Sequence, residues 1–275
     1  MENELINYFI KYSDEIRYRL IRILTVFGIF FGVFVIFRIE YISLFGYRFP
    51  FLMPDPFDNI GAQALFLLKE HTLTSNTTLL VLKPVDGVMA DFYTCMALSL
   101  IISMPVIIYE VSKFIDPALK TSEKDMLKSI IIPASLLFFA GASLGIYFIA
   151  PILFRVFSLF DLGVGADVTM GISSFVSFIF MYTIAFGLSF EIPVFMVGLS
   201  RFGIVAADTW KKNWRYAVIG SLIYGMIFSP GVTGFTMVVI AIPMIALYFA
   251  GIHFSRKAEM HFNEDKSYSD NADNN

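Results

Sequence analysis

Apolar residues form long runs in this chain, separated by shorter polar segments. Six runs contain neither lysine nor arginine, and the only acids in them are Asp91 and Glu191. A membrane-crossing helix needs roughly 20 apolar residues, with about 17–25 usual. The pattern therefore predicts six transmembrane helices. They cover residues 23–37, 88–109, 130–150, 173–200, 216–229 and 234–254.

The fifth run, residues 216–229, is short for a span. Its 14 residues rise only about 21 Å at about 1.5 Å each, against about 30 Å of hydrocarbon. Such a helix must be shielded by neighbours, lie where the bilayer thins, or borrow flanking residues.

The polar segments predict the remaining organisation. Residues 1–22 place apolar side chains at helical spacing and predict an amphipathic helix on the inner membrane surface that runs into the first span. The connection 38–87 contains an apolar stretch at 61–73, which predicts a short surface helix. Residues 255–275 are polar and acidic, which predicts a disordered tail. The membrane domain is thus expected to cover 23–254.

Lysine and arginine predict the orientation. Fifteen of the 20 lie in the segments 1–22, 110–129, 201–215 and 255–275. Because cytoplasmic loops are enriched in these residues, both termini are expected to face the cytoplasm.

Composition agrees with a membrane protein and excludes several other classes. Hydrophobic residues make up 57% of the chain and charged residues 16%, whereas about a quarter is usual for the latter in soluble domains. The single cysteine, Cys95, excludes an internal disulfide. The net charge of −3 argues against a nucleic-acid partner. We found no motif for an enzyme, a metal site or a cofactor.

Glu191 lies in the middle of the fourth apolar run, in the sequence FGLSFEIPVF. A charged group in hydrocarbon costs about 2.5–3.5 kcal/mol or more and usually has a function. Pro193 and Gly187 predict a bent helix that another backbone can approach closely. Glu191 either lines a polar groove or is a neutral carboxyl bonded to a neighbouring helix.

The polar segment after the second run offers two further candidates. Phe114 is a large apolar side chain at the predicted membrane edge, either a binding residue or an interfacial anchor. Pro117 ends one helix, because the residue before a proline avoids the helical region. Glu123 lies near the start of the next helix, where the helix dipole also favours a carboxylate.

Several stretches together resemble the TatC family, the receptor subunits of the twin-arginine protein translocase. Their order and spacing are typical of that family, in which glutamine is usual where this chain has Glu110. The stretches are 13–20 (SDEIRYRL), 103–109 (SMPVIIY), 114–119 (FIDPAL), 186–194 (FGLSFEIPV) and 241–244 (AIPM).

The resemblance implies an all-α, six-span protein of the cytoplasmic membrane that binds signal peptides and uses the proton-motive force. Glu15 and Glu123 would bind the two peptide arginines, Phe114 would pack against the peptide, and Glu191 would line an intramembrane docking groove. Implied partners are single-span TatA-type and possibly TatB-type subunits, further copies of the chain and the lipid bilayer. Positions with an expected structural role are Pro105, Pro117, Gly187, Pro193 and Pro243.

Two other functions stay open at this point. A proton-coupled secondary transporter would use Glu191 as a relay and needs a second ionisable group near the same depth. A structural scaffold without a peptide substrate would tolerate loss of the acids on the inner face.

The predicted orientation can be tested by labelling single introduced cysteines in a Cys95→Ala background. A cysteine near residue 60 should react only from outside, and cysteines near 120 and 265 only from inside. Labelling near residue 60 from the cytoplasm would contradict the orientation.

Overall fold

The computed structural model of the chain describes residues 2–44, 47–73, 77–115, 121–229 and 234–272. The described part is mostly helical. A π-helical turn, Gly145–Ile149, joins the fourth and fifth helices. In chain order the α-helices are α1 (Glu2–Ile36), α2 (Ile60–Thr72), α3 (Asp86–Ile115), α4 (Thr121–Leu144), α5 (Ala150–Gly163), α6 (Ile172–Phe190), α7 (Ile192–Arg201), α8 (Ala207–Lys212), α9 (Trp214–Phe228) and α10 (Gly234–Ala272).

Among the described residues, five helical stretches are long and apolar enough to cross a membrane, and a sixth apolar helix is shorter. The short one is α9, Trp214–Phe228, at the position of the fifth predicted span. The number and order of the predicted spans are therefore confirmed. The five long stretches are Ser13–Ile36, Asp86–Phe114, Ile130–Gly163, Ile172–Arg201 and Gly234–Met260.

Two of the prolines with an expected structural role lie inside helices that continue past them. Pro105 lies in α3 and Pro243 in α10, and a third proline, Pro133, lies in α4. A proline removes one backbone hydrogen bond from a helix. Membrane helices tolerate this because neighbouring helices and local adjustments satisfy the freed carbonyl.

Contacts between Cα atoms divide the chain into two units. The first unit comprises Met1–Ile131 with Ile146–Thr183, and the second comprises Ile132–Gly145 with Ile184–Asn275.

In the first unit, α1 packs against α3. Phe34 of α1 is buried, whereas Leu24 and Ile29 are exposed. Exposed leucine and isoleucine along a 35-residue helix fit a surface that faces lipid rather than water. One side of α1 is thus available to the bilayer while the other contacts α3.

A buried asparagine joins three helices of this unit. Asn59 caps α2, since its side-chain oxygen accepts the N–H of Ala62 at 2.8 Å. Its amide nitrogen donates to a carboxylate oxygen of Asp91 in α3 at 2.7 Å and to the carbonyl oxygen of Val35 in α1 at 3.2 Å. Asp91, one of the two acids in the predicted spans, therefore has a structural contact within the described residues.

Two short sheets in this unit were not predicted. Strands β1 (Phe37–Leu44) and β2 (Tyr47–Pro54) pair antiparallel, from Phe37 opposite Pro54 to Leu44 opposite Tyr47. Strands β3 (Thr78–Leu80) and β4 (Thr169–Gly171) pair in parallel. Both sheets lie outside the apolar spans, so the mostly helical fold class still holds.

Charged groups fix the end of the β1–β2 hairpin. Arg38 forms ion pairs with Asp55 and Asp58, each at 3.3 Å. The backbone N–H of Phe57, then that of Asp58, donates to the Asp55 carboxylate and lowers the pKa of this carboxyl below its usual value. The turn after β2 is therefore fixed both by ion pairs with Arg38 and by backbone hydrogen bonds to Asp55.

In the second unit, α10 packs against α7 and α9, and α8 lies beside it. Two glycines allow the close approach. A Cβ atom on Gly251 of α10 would meet the sulfur atom of Met196 in α7, and one on Gly225 of α9 would overlap the carbonyl oxygen of Met237 in α10. Backbone contact of this kind is typical of membrane helices that associate through small residues.

The structure differs from the sequence prediction at the C-terminal end of the chain. At the other end, helix α1 begins at Glu2 and runs through residue 22 into the first span without a break, as the sequence predicted. Helix α10 continues to Ala272, whereas a disordered tail was predicted from residue 255. A helix that is already nucleated adds residues at little cost, and this segment contains no proline or glycine after Gly251.

Two glycines of α9 allow a matched test of its packing. Gly225→Ala should lower the midpoint of thermal unfolding in detergent, because the new methyl group overlaps a backbone oxygen; overpacking costs about 1–3 kcal/mol. Gly220→Ala should leave the midpoint unchanged or raise it, since nothing lies within 4 Å of its added Cβ. Equal shifts in both variants would contradict this account of the α9–α10 contact.

Candidate functional site

A cluster of charged side chains joins α1 to the end of α3. Glu110 of α3 is 1% exposed and accepts hydrogen bonds from two arginines of α1. Its Oε1 lies 2.6 Å from Nη1 of Arg22, and its Oε2 lies 3.3 Å from Nη1 of Arg19. Both oxygens of one buried carboxylate are thus bonded to guanidinium groups.

The cluster continues along α1. Arg19 also donates to Oε1 of Glu15, one turn earlier, through Nη2 at 2.5 Å and Nε at 3.2 Å. Arg22 donates to the hydroxyl of Tyr18 at 2.8 Å, and its guanidinium carbon lies 4.8 Å from the centre of that ring. Glu15, Arg19, Arg22 and Glu110 form what we call the arginine–glutamate cluster.

The charges within this cluster cancel, because two glutamates face two arginines. A buried ion needs a partner of opposite charge, since leaving one uncompensated is strongly destabilising. Exposure falls from 43% for the Arg22 side chain through 28% for Glu15 and 17% for Arg19 to 1% for Glu110. Glu15 is therefore the carboxylate of the cluster that a ligand could reach.

Phe114 lies at the same end of α3 as the cluster. It is one turn beyond Glu110, and residues four apart lie on the same face of a helix. Its side chain is 38% exposed. The structure thus brings two of the predicted site residues, Glu15 and Phe114, to one end of the α1–α3 pair.

Glu123 is the third residue of α4, in the first turn of the helix as predicted. Its side chain and residue Pro117 lie outside the described part of the structure. Their predicted roles stay predictions.

Glu191 lies at an interruption between two helices. Helix α6 ends at Phe190 and α7 begins at Ile192. The N–H of Glu191 bonds to the carbonyl oxygen of Leu188, three residues back rather than four, at 3.1 Å. Pro193 occupies the first turn of α7, where its missing N–H is tolerated. The sequence predicted a bent helix here, and the structure has a break of one residue between α6 and α7.

The Glu191 side chain is 6% exposed, and its Oε1 has no hydrogen-bond partner among the described residues. An unsatisfied buried polar group costs about 1–3 kcal/mol. Native structures keep few such groups, and each one calls for an explanation.

The surroundings of Glu191 in the second unit are tightly packed. A Cβ atom on Gly187 would lie 2.6 Å from the ring of Phe138 in α4. A Cβ atom on Gly251 of α10 would lie 3.3 Å from the Cα of Pro193. Ser189 bonds to the hydroxyl of Tyr224 in α9 at 2.9 Å. The sequence predicted that another backbone approaches Gly187, whereas the atoms nearest to it belong to the side chain of Phe138.

Sequence reasoning missed the role of Glu110. In the sequence, Glu110 differs only in standing where glutamine is usual in the family, and the pattern predicts no partner for it. The sequence does contain a signal: Arg19 and Arg22 are three residues apart on one helix face, and Glu110 directly follows the second apolar run. Pairing them requires knowing that α1 and α3 are neighbours.

These features define a class of protein: a multi-pass helical membrane protein with a paired charge cluster at the end of its first two spans and a buried carboxyl in the fourth. Residues 11–243 match the family model described as Sec-independent protein translocase protein (TatC). The chain belongs to the TatC family.

Curated relatives agree with this membership. The chain is 32% identical over 251 residues to the Sec-independent protein translocase protein TatC of Cenarchaeum symbiosum, covering 90% of this chain and 94% of the relative. It is 36% identical over 158 residues to the protein of the same name from Escherichia coli K12, covering 58% and 60%.

Solved structures show the same fold. A crystal structure named twin arginine translocase receptor TatC matches 90% of this chain and 99% of its own, with a TM-score of 0.71 and 24% identity. A second, in the detergent DDM, matches 89% and 99%, with a TM-score of 0.72 and 25% identity. From the family match and its apolar helices, the chain is a multi-pass membrane protein of the Sec-independent translocase family.

The contacts of the cluster predict that substituting Glu110 lowers the stability of the protein more than substituting Glu40 does. Glu110→Ala should lower the free energy of unfolding by about 3 kcal/mol, because both arginines lose a partner. Glu110→Gln should lose less, since the amide oxygen still accepts a hydrogen bond. As a control, Glu40→Gln should lose less than about 1 kcal/mol, because Glu40 is 45% exposed and 3.9 Å from Arg38.

Denaturant unfolding in detergent, followed by circular dichroism, measures all three variants. Equal losses in Glu110→Ala and Glu40→Gln would show that the cluster does not stabilise the α1–α3 pair.

Proposed function

We propose that the chain is the signal-peptide receptor and assembly scaffold of a twin-arginine translocase, and that it exports folded proteins across the cytoplasmic membrane. The observation that carries this proposal is the contact between Glu15 and Arg19. In this contact, the partly exposed carboxylate of Glu15 already binds a guanidinium group. The related chains named as translocase proteins and receptors support the same function.

Recognition of an arginine pair needs carboxylates, because a guanidinium binds a carboxylate through two parallel N–H donors. Glu123 and Glu15 supply them, and Phe114 packs against the apolar part of the peptide. A peptide arginine that binds Glu15 replaces Arg19, which keeps Glu110 as its second partner. Displaced Arg19 is therefore not left without a counter-charge.

The remaining assignments follow from the family and the charge pattern. Both termini face the cytoplasm, so the arginine–glutamate cluster lies on the side where cargo is made. Transport is driven by the proton-motive force. The partners are single-span TatA-type and possibly TatB-type subunits, and further copies of the chain.

Glu191 acts in docking rather than in proton relay. A signal peptide or partner helix that enters the groove donates a hydrogen bond to the unsatisfied oxygen of Glu191. A proton-coupled transporter would need a second titratable group at that depth. The other acid of the spans, Asp91, is bonded to Asn59 and lies at the start of α3, near the end of its span.

Photo-crosslinking tests the receptor function directly. A photoreactive residue at position 114 or 123 should crosslink to a signal peptide with paired arginines and not to the same peptide with paired lysines, since lysine cannot bind bidentately. A photoreactive residue at Phe57, which is 96% exposed in the connection after β2, is the control. Crosslinks of equal yield from all three positions would argue against a specific site.

Substitution of Glu123 separates binding from a helix-end role. Glu123→Ala and Glu123→Gln should each weaken peptide binding roughly 10- to 150-fold, because a charge-assisted bond is worth about 1.5–3 kcal/mol. Asp14→Ala removes an exposed acid of α1 and should bind as the wild type does. Binding is measured by titrating a labelled peptide onto the protein in nanodiscs. Wild-type affinity in both Glu123 variants would leave this residue with a helix-end role only.

Substitutions of Glu191 distinguish docking from relay. If Glu191 bonds a partner helix, Glu191→Gln should retain much export, Glu191→Ala less, and Glu191→Leu least, because leucine fills the groove. If Glu191 relays protons, Gln should be as inactive as Ala, since an amide does not titrate in this range. The measurement is export of a folded reporter at matched membrane levels. Equal inactivity of the Gln and Ala variants would favour the relay.

A further inference from the structure

A shallow pocket lies between the middle of α10 and the junction of α8 with α9, and it shares no residue with the proposed peptide site. Its volume is about 400 Å³. Two cations and three apolar side chains line it: Lys211, Arg256, Trp214, Phe249 and Ile252.

Hydrogen bonds hold the walls of this pocket in place. The hydroxyl of Tyr248 in α10 donates to the carbonyl oxygen of Trp210 at 2.9 Å. The N–H of Ala207, the first residue of α8, donates to the carboxylate of Glu259 at 2.9 Å. On its other side, the indole N–H of Trp210 donates to the hydroxyl of Ser200 at 3.0 Å. The pocket is therefore formed before any ligand binds.

The floor of the pocket is apolar. The rings of Trp214 and Phe249 have their centres 6.2 Å apart, and Ile252 beside them is 7% exposed. Trp214 itself is 41% exposed. This surface can accept a hydrocarbon or glycerol group but offers few partners for a fully hydrated ion.

The rim carries positive charge that is free to bind an anion. Lys211 is exposed and has no ion pair with a described residue. Arg256 donates to Asp208 through one nitrogen at 3.0 Å, which leaves most of its five N–H donors available. Asp208 is 88% exposed, so its hold on Arg256 is weak.

The pocket lies at the edge of the spans. Helix α9 begins at Trp214, and the apolar stretch of α10 ends at Met260. Tryptophan is enriched at the interface between membrane and water, because its ring is amphipathic. A ligand here would have its polar group in the interface and its apolar part along the helices.

We propose that this pocket binds the headgroup of an anionic phospholipid. The phosphate lies between Lys211 and Arg256, and the glycerol and upper acyl chain lie on Trp214 and Phe249. Basic pockets between membrane helices bind such headgroups. A zwitterionic lipid gains less, because its own ammonium group is repelled by the two cations.

Fluorescence quenching tests the proposal with the full chain in phosphatidylcholine vesicles. In a Trp210→Phe background, Trp214 is the only tryptophan. Brominated phosphatidylglycerol should quench it more than brominated phosphatidylcholine at equal mole fraction. Lys211→Gln should lower this preference about fivefold, as expected for one cation near the surface.

Lys212→Gln is the matched control, because Lys212 carries the same charge at the next position but does not line this pocket; it should keep the wild-type preference. Equal quenching by both lipids would overturn the proposal. An equal loss of the preference for phosphatidylglycerol in the two lysine variants would also overturn it, because it would indicate general attraction to a charged surface. Relief of quenching by soluble glycerol phosphate would assign the pocket to free phosphates instead of lipid.

If Trp210→Phe does not fold, native mass spectrometry of the chain with both tryptophans makes the same comparison. Retention of phosphatidylglycerol over phosphatidylcholine should fall in Lys211→Gln and persist in Lys212→Gln. The opposite order would overturn the proposal.

Discussion

A peptide group in hydrocarbon has no water to bond, so each backbone N–H and C=O must find its partner within the protein. This constraint explains why the apolar stretches of the chain are helices and why the sheets lie outside them. It also applies to side chains. Asp91 is bonded to Asn59 and Glu110 to two arginines. Glu191 differs from these two acids, because one of its oxygens has no hydrogen-bond partner among the described residues. This difference is why the proposed docking role is assigned to Glu191.

The same constraint decides what the sequence could predict. The six spans follow from apolar runs alone, because length and absence of charge are sufficient signals in a membrane. The interruption at Glu191 follows from Pro193, since a proline changes local hydrogen bonding wherever it occurs. The surface helix α2 was also predicted, with bounds one residue from those observed.

Features that depend on contacts between distant segments could not be predicted in this way. The β1–β2 hairpin shows alternation at Arg38 and Glu40, but a 50-residue connection allows many pairings. The Glu110 contacts join residues 88 and 91 positions apart. The helical end of α10 reflects growth from an existing helix, which composition alone does not report.

The carboxylate of Glu110, which accepts hydrogen bonds from two arginines, limits which substitutions this sequence can accept during evolution. Its two oxygens bond Arg19 and Arg22. A neutral residue at position 110 leaves Arg22 without a carboxylate partner among the described residues, whereas Arg19 keeps Glu15. Replacement of Arg22 alone is tolerated more readily, since Arg19 remains. Positions 22 and 110 should therefore change together during descent, so related chains with a neutral residue at 110, such as the glutamine that is usual in the family, should lack a cation at 22.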